Sequence, residues 1–190
     1  SSLNLIVNDL STDPTTITPS STSVCAGDNV NLTATGGVLG TGATYEWYSN
    51  SCGGIYIGSG SSILLNPLAT TTYFVRIEGT CNTTNCISQT INVVPISTAP
   101  LLISASNSTI CPGSSTTLTV SGGFLAPNND YFWYENTCGL STNIGIGSQV
   151  TVSPSLTTTY YVRAEGPCDS TSCIDITITA NTLSTDPTAI

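Results

Sequence analysis

The sequence predicts an all-β protein made of two tandem sandwich domains, and three observations carry that prediction. A ten-residue stretch at 70–79, TTTYFVRIEG, returns almost unaltered at 157–166 as TTTYYVRAEG, 87 positions later. Such internal self-similarity marks a repeat architecture and decides for two domains in a chain of 190 residues. Threonine, valine and isoleucine abound, and their branched side chains suit a pleated surface. No window sustains an apolar period of about 3.6 residues, so helices are not expected.

The elements follow in order. The segment STDPT at 11–15 recurs at 184–188, with a relative, STAP, at 97–100. These polar, proline-containing stretches read as junctions. Residues 1–10 then read as the last strand of a preceding repeat, 11–97 as repeat one, 98–183 as repeat two, and 184–190 as the start of a following junction. In repeat one an edge strand is expected near 15–18. Residues 29–34 alternate and stop at Gly36 and Gly37, and 44–48 form the next strand. A short strand at 54–58 lies between glycines, 62–66 is stopped by Pro67, and strands at 71–78 and 87–94 close the domain. Repeat two offers the same elements at 116–120, 130–134, 143–146, 149–152, 158–165 and 174–180. The offset grows from 86 to 87 after Cys138, which places one inserted residue in the turn 139–143.

About seven short strands per repeat, with a turn signal every 8–12 residues, is the pattern of an immunoglobulin-like sandwich. Trp47 and Trp133 stand where such a domain buries a tryptophan on its third strand, C. Tyr73 and Tyr160 open strand F, where a tyrosine hydroxyl bonds nearby backbone. The positions of the inter-sheet cystine of antibody domains hold Val75 and Val162, faced by Ala34 and Val120, so an apolar pair replaces it.

Composition narrows function by exclusion. Two cations, Arg76 and Arg163, stand against eleven acidic residues, a net charge of −9, which makes nucleic acid and anionic membranes poor partners. No run of eighteen apolar residues offers membrane insertion. With no His and no Lys, Ser-His-Asp, Cys-His and Schiff-base chemistry are all ruled out. The acids are thinly spread, and Asp28 and Glu46 are replaced by Ser114 and Phe132 in repeat two, so no carboxylate pair recurs. An enzyme is not expected, nor any cofactor. Asp13 and Asp186 are candidate calcium ligands at the junctions, although the middle junction has Ala99 instead.

Each repeat carries four cysteines: Cys25, Cys52, Cys81 and Cys86, then Cys111, Cys138, Cys168 and Cys173. Four cysteines allow three pairings, and spacing alone does not choose among them. Sandwich topology puts the start of strand B and the end of strand C at one pole and the F–G turn at the other. It therefore favours Cys25–Cys52 with Cys81–Cys86, and Cys111–Cys138 with Cys168–Cys173, since a bridge needs Cα atoms within about 7 Å. Cystines in these positions imply an oxidising, extracytoplasmic compartment.

The one surface feature above background is the outer face of the sheet formed by strands C, F and G. Alternation turns Tyr73, Val75 and Ile77 inward, and Phe74, Arg76 and Glu78 outward. With Tyr48, and with Phe132, Tyr134, Tyr161 and Arg163 in repeat two, they form a candidate binding face for sugars or a protein partner. The plainer expectation is that each arginine lies over an aromatic ring and pairs with the glutamate two residues on.

Taken together, CPG at 111–113, LTVSGG at 118–123, Trp133-Tyr134, Cys138-Gly139, TTTYYVR at 157–163 and two closing cysteines resemble the immunoglobulin-like repeats of giant Bacteroidota surface proteins, exported by the type IX secretion system. Repeat one departs from that pattern with Ala26 in place of Pro112. The resemblance covers essentially the whole chain. It implies an extracellular, cell-surface filament with a structural or adhesive role in surface attachment or gliding motility. The partners it implies are neighbouring repeats of the same chain and, on the binding-module alternative, surface polysaccharide or glycan.

Overall fold

The structure, a computed structural model, describes residues 7–140 and 142–182. Most of the two flanking fragments expected at 1–10 and 184–190, Asp186 included, lies outside these residues. The chain divides between Pro95 and Ile96 into two compact units.

The first unit contains β1 (Thr16–Pro19), β2 (Ser23–Cys25), β3 (Val30–Thr35), β4 (Thr44–Ser49), β5 (Ile55–Ser59), β6 (Ser62–Leu65), β7 (Thr71–Glu78) and β8 (Ile87–Val94). They form a three-stranded sheet, β1-β3-β6, and a five-stranded sheet, β2-β8-β7-β4-β5. This is the immunoglobulin-like sandwich. It has one strand more than the seven expected, because the edge strand divides. β1 pairs antiparallel with β3, while β2 pairs parallel with β8 in the opposite sheet. The polar run 20–22 carries the chain across, with the Ser21 hydroxyl donating to the Ser23 carbonyl at 2.6 Å.

The core is what strand alternation requires. Along β7, Tyr73, Val75 and Ile77 are buried while Phe74, Arg76 and Glu78 are half-buried. Trp47 is fully enclosed and donates its ring N–H to the Gly60 carbonyl at 2.8 Å, which removes the cost of burying that group. Val75 and Ala34 are both buried in the same cluster, so methyl packing stands where an antibody domain keeps sulfur.

The second unit repeats the plan with β9 (Leu102–Ala105), β10 (Thr109–Ile110), β11 (Thr116–Ser121), β12 (Asp130–Glu135), β13 (Gly145–Ile146), β14 (Gln149–Val152), β15 (Thr158–Glu165) and β16 (Ile174–Ala180). Its sheets are β14-β11-β9 and β10-β16-β15-β12-β13. Trp133 is enclosed and bonds the Gly147 carbonyl at 2.8 Å. Val162 and Val120 take the apolar-pair positions.

The tyrosine bonds to backbone come from a strand other than the one expected. Tyr73 and Tyr160 are buried, and that burial pushes their hydroxyls up from the ordinary value of 10.0. It is Tyr45 on β4 that donates to the Gly36 carbonyl at 2.6 Å, and Tyr131 on β12 that donates to Gly122 at 3.2 Å.

Candidate functional site

The cystines correct the sequence expectation. In the first unit Cys52 is bonded to Cys86, with Cα atoms 5.9 Å apart, and not to Cys25. In the second, Cys138 is bonded to Cys173 at 6.3 Å, and not to Cys111. The pairs Cys81–Cys86 and Cys168–Cys173 therefore do not form. Cys81 and Cys111 are exposed thiols, and Cys25 and Cys168 are disulfide-bonded. The expectation failed because it ran strand C straight off the pole of the sandwich. Asn50 (φ 71°) and Gly53 (φ 71°) are both left-handed, as are Asn136 (62°) and Gly139 (68°), so the loop after β4 or β12 turns back over the outer face of the five-stranded sheet. Cys52 thereby comes to 4.0 Å from the Arg76 guanidinium. Cys86 immediately precedes β8, whose first residue, Ile87, is paired with Val75 on β7. The bridge thus straps the loop between β4 and β5 across β7, the middle strand of the sheet. The bridged residues are separated by 34 positions in one unit and 35 in the other, which places the inserted residue inside the strapped loop.

Beneath each strap lies one cluster, built twice. β4 sets Tyr48 opposite Phe74 and Glu46 opposite Arg76, which brings Tyr48, Arg76 and Glu78 together on one face. Tyr48 donates its hydroxyl to Glu78 Oε1, and Arg76 donates Nε to the same oxygen at 2.8 Å. The Arg76 guanidinium also sits 5.0 Å from the Tyr48 ring centre. In the second unit Tyr134 and Arg163 both donate to Glu165 Oε1, the latter at 2.7 Å, and Arg163 lies 5.7 Å from the Tyr134 ring centre. Gly53 and Gly139 let the strap press down: a methyl built at Gly139 would stand 2.6 Å from Arg163 Nη2.

The electrostatics follow from this packing. Burial pushes the Tyr48 and Tyr134 hydroxyls up from their ordinary value of 10.0, and the glutamate that each one bonds adds to the effect. The Tyr48 hydrogen bond leads in holding the Glu78 carboxyl below its usual value, with Arg76 assisting. At Glu165 burial pushes upward, but the bonds from Tyr134 and Arg163 outweigh it and the carboxyl again stays low. Each cluster is a cation, an anion and a phenol satisfying one another.

The candidate binding face is therefore divided. Tyr48 and Tyr134 are 8% and 5% exposed, roofed by their arginines, and offer no free ring for stacking. Phe74, Arg76, Phe132, Tyr161 and Arg163 are half-buried on the expected outer face. Tyr56, which sequence reasoning did not include, is 57% exposed and meets Tyr48 edge-on at 5.9 Å. A shallow hollow of about 310 Å³ beside β12 is lined by Asn128, Asp130, Phe132, Glu165, Gly166 and Ser170.

Asp13, offered as a calcium ligand, is occupied otherwise. Its carboxylate accepts the Asn85 side-chain amide at 2.9 Å and the Asn85 backbone N–H at 3.0 Å, and these bonds hold its pKa below the ordinary value. It fastens the junction segment to the F–G loop. Among the described residues no group of three or more His, Cys, Asp or Glu side chains is placed to hold a metal ion. Among them, too, no helix is long and apolar enough to cross a membrane.

Comparison with known proteins agrees with this architecture. A family model described as "Ig-like domain CHU_C associated" matches twice, over residues 12–95 and 98–183. No curated protein matches. Among solved structures, a chain in the crystal structure of a mouse coronavirus receptor-binding domain complexed with its murine receptor is similar at 16% identity and TM-score 0.50, over 87% of this chain and 99% of that one. A two-domain fibronectin type-III segment of chicken tenascin is 14% identical with TM-score 0.36, over 88% and 99% of the two chains. The fibronectin(III)-like modules of Clostridium thermocellum CbhA are 12% identical with TM-score 0.43, over 87% and 94%. At 16% identity the first of these likenesses concerns the fold alone.

Proposed function

The chain belongs, over both of its halves, to the CHU_C-associated Ig-like domain family, and from that premise we propose that it is a structural repeat segment of a large extracellular adhesin. The observation that carries this reading is the twice-built clamp. In both units a tyrosine, an arginine and a glutamate satisfy one another beneath a cystine strap, on the face that offered the candidate ligand platform, and they do so as the plainer expectation for that face has it. A group that spends its donors and acceptors internally stabilises a module and leaves little for recognition. The resemblance to type IX-exported Bacteroidota repeats adds the location, a filament on the cell surface serving attachment or gliding motility. In this role the partners are neighbouring repeats of the same array, and no cofactor, nucleic acid or membrane insertion is involved. Antibody raised against the chain should label intact, unpermeabilised cells of the source organism. Labelling only after lysis would overturn the surface assignment.

The second reading is a carbohydrate- or protein-binding module, and the hollow beside Phe132 is the observation in its favour. Its volume of about 310 Å³ is at the low end for a ligand site. On the structural reading, a glycan array probed with the chain gives no signal that Phe132→Ser removes. A signal lost in that variant would establish the binding module instead.

A further inference from the structure

We propose that Cys81 and Cys111 are a complementary pair of linking thiols, through which one copy of the repeat is joined by a disulfide to another. Both are exposed thiols. Within its own unit each lies at a defined pole. Cys81 is in the loop between β7 and β8, the F–G loop, next to the isolated bridge between Glu78 and Thr83. That loop is fixed from behind, because Asn82 exchanges two hydrogen bonds with the backbone of Ser11, at 2.8 and 2.9 Å. Cys111 directly follows β10, whose Ile110 pairs with Ala180 at the far end of β16. A turn holds it there, with the Ser114 N–H donating to the Cys111 carbonyl at 2.9 Å. An eight-residue strand such as β7 or β15 is about 26 Å long, so the F–G loop and the turn before strand B occupy opposite ends of the same sandwich. No bridge inside one unit can span that distance.

The second observation comes from the internal repeat. The equivalent of Cys81 in the second unit is Cys168, and the equivalent of Cys111 in the first is Cys25; both are disulfide-bonded. The two positions of the repeat that stand as thiols in one unit are thus disulfide-forming positions in the other. The strap cysteines Cys52, Cys86, Cys138 and Cys173 are already spent on each other. Joining an F–G cysteine of one copy to a strand-B cysteine of another is a heterologous contact, which propagates without closing and generates open chains. The partner is a second copy of this repeat, since it presents the complementary thiol on the same fold.

Formation requires an oxidant, here a low-molecular-weight disulfide such as glutathione disulfide. The Cys81 thiolate attacks one glutathione sulfur, forming a mixed disulfide and releasing one glutathione thiolate. The Cys111 thiolate of the second copy then displaces the other. Two protein thiols are oxidised, and one glutathione disulfide is reduced to two thiols.

The inference rests on the tandem repeat and not on the adhesive role, so either can fail alone. The purified 190-residue chain is incubated with glutathione disulfide, acid-quenched, alkylated and run without reduction, and cross-linked peptides are identified by mass spectrometry. A ladder of covalent oligomers containing a Cys81–Cys111 peptide is expected. Cys81→Ser alone and Cys111→Ser alone should each remain monomeric, and their mixture should stop at the dimer. Native chain alkylated beforehand at its exposed thiols should also stay monomeric, a control that needs no variant to fold. Dimers formed by Cys111→Ser alone, or native chain that ends as a monomer carrying two glutathione adducts, would overturn the proposal.

Discussion

Removing the strap tests the corrected disulfide framework in numbers. In Cys52→Ser/Cys86→Ser the unfolded first unit is released from a loop closed by residues 34 positions apart. On the chain-entropy relation, closing a loop of that length stabilises by about 4 kcal/mol. For a domain of this size, each kcal/mol moves Tm by about 4–8 °C, so the first unit should melt roughly 15–30 °C lower while the second is unmoved. Each unit contains one buried tryptophan, Trp47 or Trp133, so fluorescence-detected melting of this variant and of Cys138→Ser/Cys173→Ser separates the two transitions. Cys81→Ser is the discriminating control. It should leave the first transition in place, because Cys81 is a thiol. Were Cys81 bridged to Cys86, its loss would cost about 2 kcal/mol by the same relation. A Cys81→Ser transition lowered as far as that of Cys86→Ser would refute the strap.

Three further outcomes follow from the clamp and its loop. Glu78 and Glu165 have folded pKa values below their ordinary 4.5, so their contribution is fully present above that pH and is lost as pH falls through the depressed values. Denaturation midpoints measured against pH should fall at the acid end, and Glu78→Gln/Glu165→Gln should make that fall shallower but not flat, since Asp13 is depressed too. At the alkaline end the sign reverses. The raised Tyr48 and Tyr134 contribute below about 10 and lose that contribution as pH climbs through their folded values, so Tyr48→Phe/Tyr134→Phe should weaken the alkaline decline. Gly139→Ala should destabilise more than Gly113→Ala, by up to about 1 kcal/mol, the scale of an exposed ion pair. Both positions are left-handed, but only the first methyl meets a guanidinium, and chemical denaturation of the two variants gives the difference directly.

Much of the fold was legible because it rests on rules that depend on spacing. Period-two alternation placed Tyr73, Val75 and Ile77 inside and their neighbours outside, and the 86-to-87 offset tied each element of one unit to its twin in the other. Arg76 over Tyr48 with Glu78 beside it was likewise readable, because strand pairing makes residues i and i+2 neighbours on one face. The cystines were not, because their pairing hangs on the path of a loop and not on any strand. A signal was nevertheless present: Asn-x-Cys-Gly occurs at 50–53 and again at 136–139, and Asn and Gly are the two residues that most readily take left-handed backbone. Read that way, the loop turns back onto the sheet and Cys52 points toward β8. The same loop explains why the binding face looked more open in the sequence. Alternation exposes Tyr48, but the arginine and the strap above it cover the ring again.

Extension under force tests most directly whether these units are mechanical segments limited by their straps. Stretched from its ends as the Cys25→Ser/Cys168→Ser variant, in which the straps are the cystines that remain, each unit should unfold in a step that omits the residues between Cys52 and Cys86, or between Cys138 and Cys173. After reduction each step should lengthen by about 120 Å, the extended reach of 34 residues. Steps of equal length before and after reduction would contradict the account.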